Sequence, residues 1–203
     1  MKKLILALLM ICGFLAAPVF SVFADVATNE PAPDFTLQDT NGKPQKLSGY
    51  KGKFVVLEWV NHDCPFVKKH YDSGNMQKLQ EEYTKKDVVW LSINSSAEGK
   101  EGHISPEEWN RLTEEKKAKP IAVLLDPDGA VGKTYGAKTT PHMFVINPDG
   151  VLIYQGAIDS IASVDQGDVI KAQNYVKDVL DQAVLGQSIA VSDTKSYGCS
   201  VKY

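Results

Sequence analysis

The sequence predicts an α/β fold: a mixed central sheet flanked by helices, with an N-terminal β-hairpin and an irregular C-terminal tail. Three observations predict it. Short apolar runs alternate with helical patterns through the first two thirds of the chain, which is the order of a parallel sheet with crossover helices. Asn41-Gly42 lies between two short strand patterns, and that dipeptide is a strong hairpin signal. Asn147-Pro148-Asp149-Gly150 separates two further strands near the end, so the sheet closes with an antiparallel pair.

The N-terminus reads as a targeting segment outside the fold. Lys2 and Lys3 precede an apolar run from Leu4 to about Phe23, and Val22 and Ala24 are small residues where a signal peptidase reads. This pattern predicts a signal peptide over residues 1–24, cleaved after Ala24. Cleavage removes two lysines, Cys12 and no acid. No other run is long enough to span a membrane, so no stable insertion is expected after cleavage. Export into a bacterial periplasm follows as the expected location, since the signal is short and carries few charges.

The remainder has the size of one domain. The whole chain has 203 residues, 43% of them hydrophobic, with 22 basic and 25 acidic residues for a formal charge of −3. A mildly acidic chain lacks the basic face that nucleic-acid binding requires. Residues 25–33 (DVATNEPAP) read as a linker, residues 34–186 as the domain, and residues 187–203 as a tail carrying Cys199.

Each element has a local reason. Phe35-Thr36-Leu37 and Lys46-Leu47 form the first hairpin. Phe54 to Val60 is a nearly continuous apolar run, suited to a central strand covered on both faces, with Glu58 as its one acid. It leads into Asn61-His62-Asp63-Cys64-Pro65. Proline favours the first turn of a helix and Asp63 can cap it, which predicts a helix from near Cys64 towards Tyr83. Val88–Ile93 is the next strand, and residues 97–104 a loop. Ser105-Pro106-Glu107-Glu108 opens a second helix that ends before Pro120. Ile121–Leu125 is a strand, residues 130–135 a short helix, and Met143–Ile146 with Val151–Tyr154 the closing hairpin. Asp168 to about Leu185 reads as the terminal helix, with Ile170, Tyr175, Val176, Val179 and Leu180 at helical spacing. Trp59, Trp90 and Phe144 read as core. Lys68, Lys69, Lys85 and Lys86 read as a solvated face.

Cys64 is the centre of the chemistry. A helix N-terminus stabilises a thiolate, the reactive form of cysteine. Cys199 is the other cysteine left after cleavage. Either the tail returns to resolve an oxidised Cys64, or a permanent disulfide pins the tail and closes a long loop. Two free thiols facing different partners are the third option. Glu58 is either a proton acceptor for Cys64 or a residue that faces the sheet edge or pairs with a lysine. His62, Cys64 and His142 lack the spacing of a metal site, so neither metal nor cofactor is expected. His70 and His103 carry no motif.

From Glu58 to Cys64 the chain resembles the thioredoxin superfamily, in which an acid in an apolar strand precedes the active cysteine by six residues. Thr139-Thr140-Pro141, directly before a strand, is similar to that superfamily's cis-proline segment. More closely, the chain resembles the peroxiredoxin-like branch of the alkyl hydroperoxide reductase/thiol-specific antioxidant (redoxin) group. The likeness rests on Ala32-Pro33-Asp34-Phe35, Asn61 to Phe66, Ser92-Ile93-Asn94, Tyr154-Gln155-Gly156 with Ile158-Asp159, and Gly198 to Tyr203. It implies a thioredoxin-like fold and a site made of Cys64, Cys199, Glu58 and Pro141, with Asn61, His62, Pro65 and Thr140 meeting the substrate. The implied partners are a thiol or disulfide protein or a small peroxide. The chain departs from these families at three positions. The second cysteine of a CxxC pair would fall at Val67. The threonine or serine expected three residues before a peroxidatic cysteine is Asn61, and the chain's single arginine, Arg111, lies in the second helix. Three functions therefore stand: a thiol–disulfide oxidoreductase, a divergent thiol peroxidase, and a binding module for protein or metal whose disulfide is structural.

Overall fold

The computed structural model describes residues 26–203; the predicted signal peptide and Cys12 lie outside them. The chain runs β1 (Thr36–Asp39), β2 (Pro44–Lys46), β3 (Val55–Trp59), α1 (Pro65–Asp72), α2 (Asn75–Thr84), β4 (Val89–Asn94), α3 (Pro106–Glu115) and β5 (Ala122–Leu125). It continues through α4 (Ala130–Thr134), β6 (Thr139–Thr140), β7 (His142–Ile146), β8 (Leu152–Gly156), α5 (Tyr175–Val184) and β9 (Cys199–Ser200). Among the described residues, seven strands form one sheet in the order β2-β1-β5-β4-β3-β7-β8, and β6 pairs with β9 apart from it.

The central strands β3, β4 and β5 are parallel, while β7, β8 and the β1–β2 hairpin pair antiparallel. This is the expected mixed sheet. All five residues of β3 are buried, because helices and loops cover both faces. Val55, Leu57 and Trp59 point into one core with Phe35, Tyr135 and Phe144. Val56 points into the other, with Met76, Tyr83, Trp90 and Val176. Strand alternation puts Glu58 on the Val56 face, under α1 and α2.

Three expectations are corrected. The helix predicted from Cys64 to Tyr83 is two helices. Gly74 sits at φ +74, a left-handed conformation that glycine adopts without strain, and it ends α1 while opening α2. The terminal helix starts at Tyr175, not Asp168. Asn174 caps it by accepting a hydrogen bond from the Lys177 amide, and the preceding residues are turn and short 3-10 helix, so Ile170 is 90% exposed rather than core. Lys69, expected on a solvated face, is 1% exposed.

The C-terminal tail crosses the C-terminal end of the sheet. The Gln155 amide bonds the Ser192 carbonyl, the Ala97 amide bonds the Lys202 carbonyl, and the Val201 amide bonds the Lys138 carbonyl. The Tyr203 ring lies over Gly129 and Gly132, with its hydroxyl on the Ala137 carbonyl at 2.7 Å.

Candidate active site

Strand β3 delivers the chain to a turn at Asn61. The Asn61 side-chain oxygen accepts from the Asp63 amide at 2.9 Å, and its carbonyl accepts from the Cys64 amide at 3.1 Å. Its Nδ2 reaches the Glu101 carbonyl at 3.4 Å. Asn61 therefore shapes the turn and ties it to the 97–104 loop. Cys64 is the N-cap residue of α1 and Pro65 its first helical residue. Asp63, expected to cap this helix, makes no cap bond. Its carboxylate faces the His62 ring at 3.2 Å and the Lys68 ammonium at 3.7 Å.

The Thr140–Pro141 peptide bond is cis. The Thr140 carbonyl lies 3.0 Å from the Cys64 sulfur and accepts its S–H. β9 pairs antiparallel with β6 in the register Thr139 with Ser200 and Thr140 with Cys199. That pairing sets the Cys199 sulfur 2.7 Å from the Cys64 sulfur, across 135 residues of sequence. Both are free thiols. Cys64 is fully buried beneath the tail.

The two thiols are electrostatically unequal. Burial pushes the Cys64 thiol up. Hydrogen bonds from the Cys199 thiol and at Thr140, with the amides of Val67 and Cys199, outweigh burial and hold Cys64 below the ordinary cysteine value. Cys199 is pushed up to about 12, by burial and by its hydrogen bond to and charge repulsion from Cys64. Of the two thiols Cys64 is therefore the more readily ionised, and the thiolate is the nucleophilic form of cysteine.

Glu58 is fully buried in the central strand. It neither faces an edge nor pairs with a lysine. The Tyr71 hydroxyl donates to one carboxylate oxygen at 2.9 Å. The Trp90 indole, the Ser92 hydroxyl and the Gln80 amide donate to the other at 2.8, 3.1 and 3.3 Å. Burial raises its pKa, and these four donors only partly oppose the rise. Tyr71 and Ser92 also line a groove of about 380 Å³ between α1 and α3, with Val60, His62, Val67 and Trp109 among its walls. The His62 ring stands edge-on to Trp109 at 5.4 Å. The Cys64 sulfur does not line this groove; it faces Thr140 and Cys199.

The Redoxin family model matches residues 27–176. The chain belongs to the redoxin family. It is 28% identical over 149 residues to the thiol-disulfide oxidoreductase ResA of Bacillus subtilis, spanning 72% of this chain and 78% of that protein. It is 27% identical over 158 residues to the ResA of Bacillus thuringiensis subsp. konkukian, spanning 74% and 84%. Among solved structures, a conserved protein of Geobacillus kaustophilus superposes with a TM-score of 0.75 at 26% identity, covering 87% of this chain and 92% of that one. The fold is thioredoxin-like, as the sequence predicts.

The fold and its tail thus bring Cys64, Cys199, Thr140 and Pro141 together, and Pro65 follows Cys64 as an exposed residue of the first helical turn. Asn61 supports the turn, and His62 faces the neighbouring groove. Arg111 is exposed and bound to Glu108 and Glu115. Among the described residues, no group of three or more histidine, cysteine, aspartate and glutamate side chains is placed to hold a metal, and no helix is long and apolar enough to cross a membrane. His142 Nδ1 accepts from the Lys138 amide at 3.2 Å.

Sequence reasoning missed the residues that hold the tail. Asp159, Lys69, His70 and Tyr197 meet in a buried cluster. The available signal was Tyr197-Gly198-Cys199 itself, an aromatic and a glycine directly before the second cysteine. Nothing in sequence linked it to Lys69.

Proposed function

We propose that this redoxin is an exported thiol–disulfide oxidoreductase in which Cys64 attacks a partner disulfide and Cys199 resolves the product. The observation that carries the reading is the 2.7 Å contact between two free thiols of opposite tendency. The relatives named as thiol-disulfide oxidoreductases support it. Export rests on the apolar segment of residues 4–23 and its basic start, and a periplasmic location follows from it.

The steps balance as follows. The Cys64 thiolate attacks one sulfur of the partner's disulfide; a Cys64–partner bond forms, and the partner's other sulfur leaves as a thiolate. Cys64 is then neutral, and the repulsion that held the proton on Cys199 is gone. Burial still opposes ionisation, and the Cys199 proton passes to the thiolate that has just left the partner. Glu58 is assigned as the proton acceptor for Cys64 when that thiol ionises, supported by its raised pKa and its burial under the helix that Cys64 begins. The Cys199 thiolate attacks Cys64, the second partner sulfur leaves, and the Cys64–Cys199 disulfide forms. The partner gains two electrons and the redoxin loses two. The reverse sequence oxidises a dithiol. Pro65 and the cis Thr140–Pro141 segment border the attacked sulfur, and His62 meets the flanking side chains of the partner in the groove.

The test is thiol counting on the reduced mature protein, mixed with a protein disulfide substrate or with an equimolar amount of hydrogen peroxide. The expected result is an intramolecular disulfide with the first oxidant, and a trapped Cys64–partner mixed disulfide in Cys199→Ser. Rapid oxidation by peroxide alone, with the disulfide substrate untouched, would replace this reading with a peroxidase.

A further inference from the structure

A buried charged cluster lies behind the tail, and none of the exchange steps uses it. Lys69 has a fully buried side chain. Its ammonium bonds Asp159 Oδ2 at 3.3 Å and the Ile161 carbonyl at 2.9 Å. Asp159 is itself 2% exposed; its Oδ1 accepts from the Ile161 amide at 3.1 Å and from the Tyr197 hydroxyl. His70, also fully buried, lies 3.3 Å from that hydroxyl through Nε2. The Asn75 amide meets its Nδ1 at 2.9 Å. The Tyr197 ring packs edge-on to Phe66 at 5.8 Å.

Taking an ammonium and a carboxylate out of water costs several kcal/mol per ion, and their attraction offsets this only with good geometry and further hydrogen bonds. Such a pair is therefore an expensive way to fill space. Its position shows what it holds. Lys69 and His70 lie on α1, the helix that begins directly after Cys64. Asp159 lies just beyond β8. Tyr197 is two residues before Cys199. The cluster ties the element bearing the attacking thiol to the segment bearing the second thiol.

We infer that Tyr197, held by Asp159 and through it by Lys69, is a positioning residue for Cys199 and sets the stability of the Cys64–Cys199 disulfide. This rests on the proposed exchange chemistry. Tyr197 touches no reacting atom; it fixes where the backbone enters β9. Without its grip, the nearest upstream anchor is Thr194, whose amide bonds the Gln155 carbonyl, five residues from Cys199, and Cys199 spends less time at Cys64. The effective concentration of the second thiol falls, and the disulfide becomes easier to reduce.

The experiment equilibrates full-length mature protein with reduced and oxidised glutathione and counts protein thiols by alkylation and mass. Tyr197→Phe keeps the ring on Phe66 and removes only the hydroxyl. Its effective concentration of Cys199 is expected to fall roughly tenfold or more, the fold-change of one lost hydrogen bond to a charged group, and Cys64–glutathione mixed disulfide accumulates. Asp159→Asn is expected to move the equilibrium the same way. Tyr83→Phe, which removes a matching tyrosine–aspartate bond to Asp181 far from the site, is the control for lost stability and leaves the constant unchanged. A constant within about twofold of wild type in Tyr197→Phe, with a lowered unfolding midpoint, would make the tyrosine purely structural and overturn the inference. If wild type itself forms no intramolecular disulfide at any glutathione ratio, the exchange reading and the inference fall together, which is a different result from a variant that matches an active wild type.

Discussion

A Cβ atom at Gly198 would stand 2.0 Å from the Thr140 carbonyl oxygen. That oxygen is the same one that accepts the Cys64 thiol hydrogen. The tail therefore approaches the cis-proline segment as closely as a backbone can, and it does so one residue before Cys199. Gly198 also has φ +138, a region that other residues rarely adopt.

Gly198→Ala is expected to lift β9 from β6, because the obstructing atom is backbone and cannot swing aside. Formation of the Cys64–Cys199 disulfide should slow at least tenfold, while alkylation of Cys64, normally covered, becomes faster. Stopped-flow thiol labelling reads both rates. Unchanged rates would mean the tail does not cover Cys64 in solution.

Glu58 makes a signed pH prediction. Its folded pKa is raised above the ordinary 4.5 by burial. Between those two values the folded state holds more protons than the unfolded one, so stability falls as pH rises through this window. Urea unfolding of Glu58→Gln should lose that decline, and its stability relative to wild type should grow with pH. If Glu58 also accepts the proton of Cys64, the variant forms the mixed disulfide with a partner roughly a hundredfold more slowly. A flat difference in stability and an unchanged rate of mixed-disulfide formation would remove both roles.

His70 has the opposite sign. Burial is the main cause of its low pKa, with repulsion from Lys69 adding to it, and attraction to Asp159 only partly opposes them; the result is a value of about 4 against 6.5 unfolded. The unfolded chain takes up a proton across this range and the folded chain does not. The contribution is complete above pH 6.5 and is lost as pH falls towards 4, by up to roughly 3 kcal/mol. Chemical denaturation of wild type and His70→Gln over that range should show the difference, with the variant less sensitive to acid.

Much of the fold was legible because it depends on local pattern. The run Val55–Trp59 reads as a doubly covered strand because it is short, β-branched and followed at once by turn residues. Ser105-Pro106 opened α3 as written, because a cap and a first-turn proline act within one turn. The two misplaced helix ends are also local in origin. Gly74 and Asn174 are recognised helix-ending and helix-starting residues, but the apolar periodicity on either side of each runs on and masks them. Of the site, the position of Cys64 was readable for the same reason: a cysteine between an apolar strand and a proline-started helix stands where the helix amides favour its anion.

The sequence by itself determined the succession of strands and helices along the chain, the place of Cys64 at a helix start and the absence of a CxxC partner at Val67. Only the tertiary structure placed Cys199 beside Cys64. It did so by bringing β9 against β6, so that two thiols 135 residues apart touch. The same holds for Lys69, which reads as a surface lysine and is instead the buried counter-ion of Asp159. Burial and charge pairing are properties of neighbours distant in sequence, and no periodicity along one segment records them.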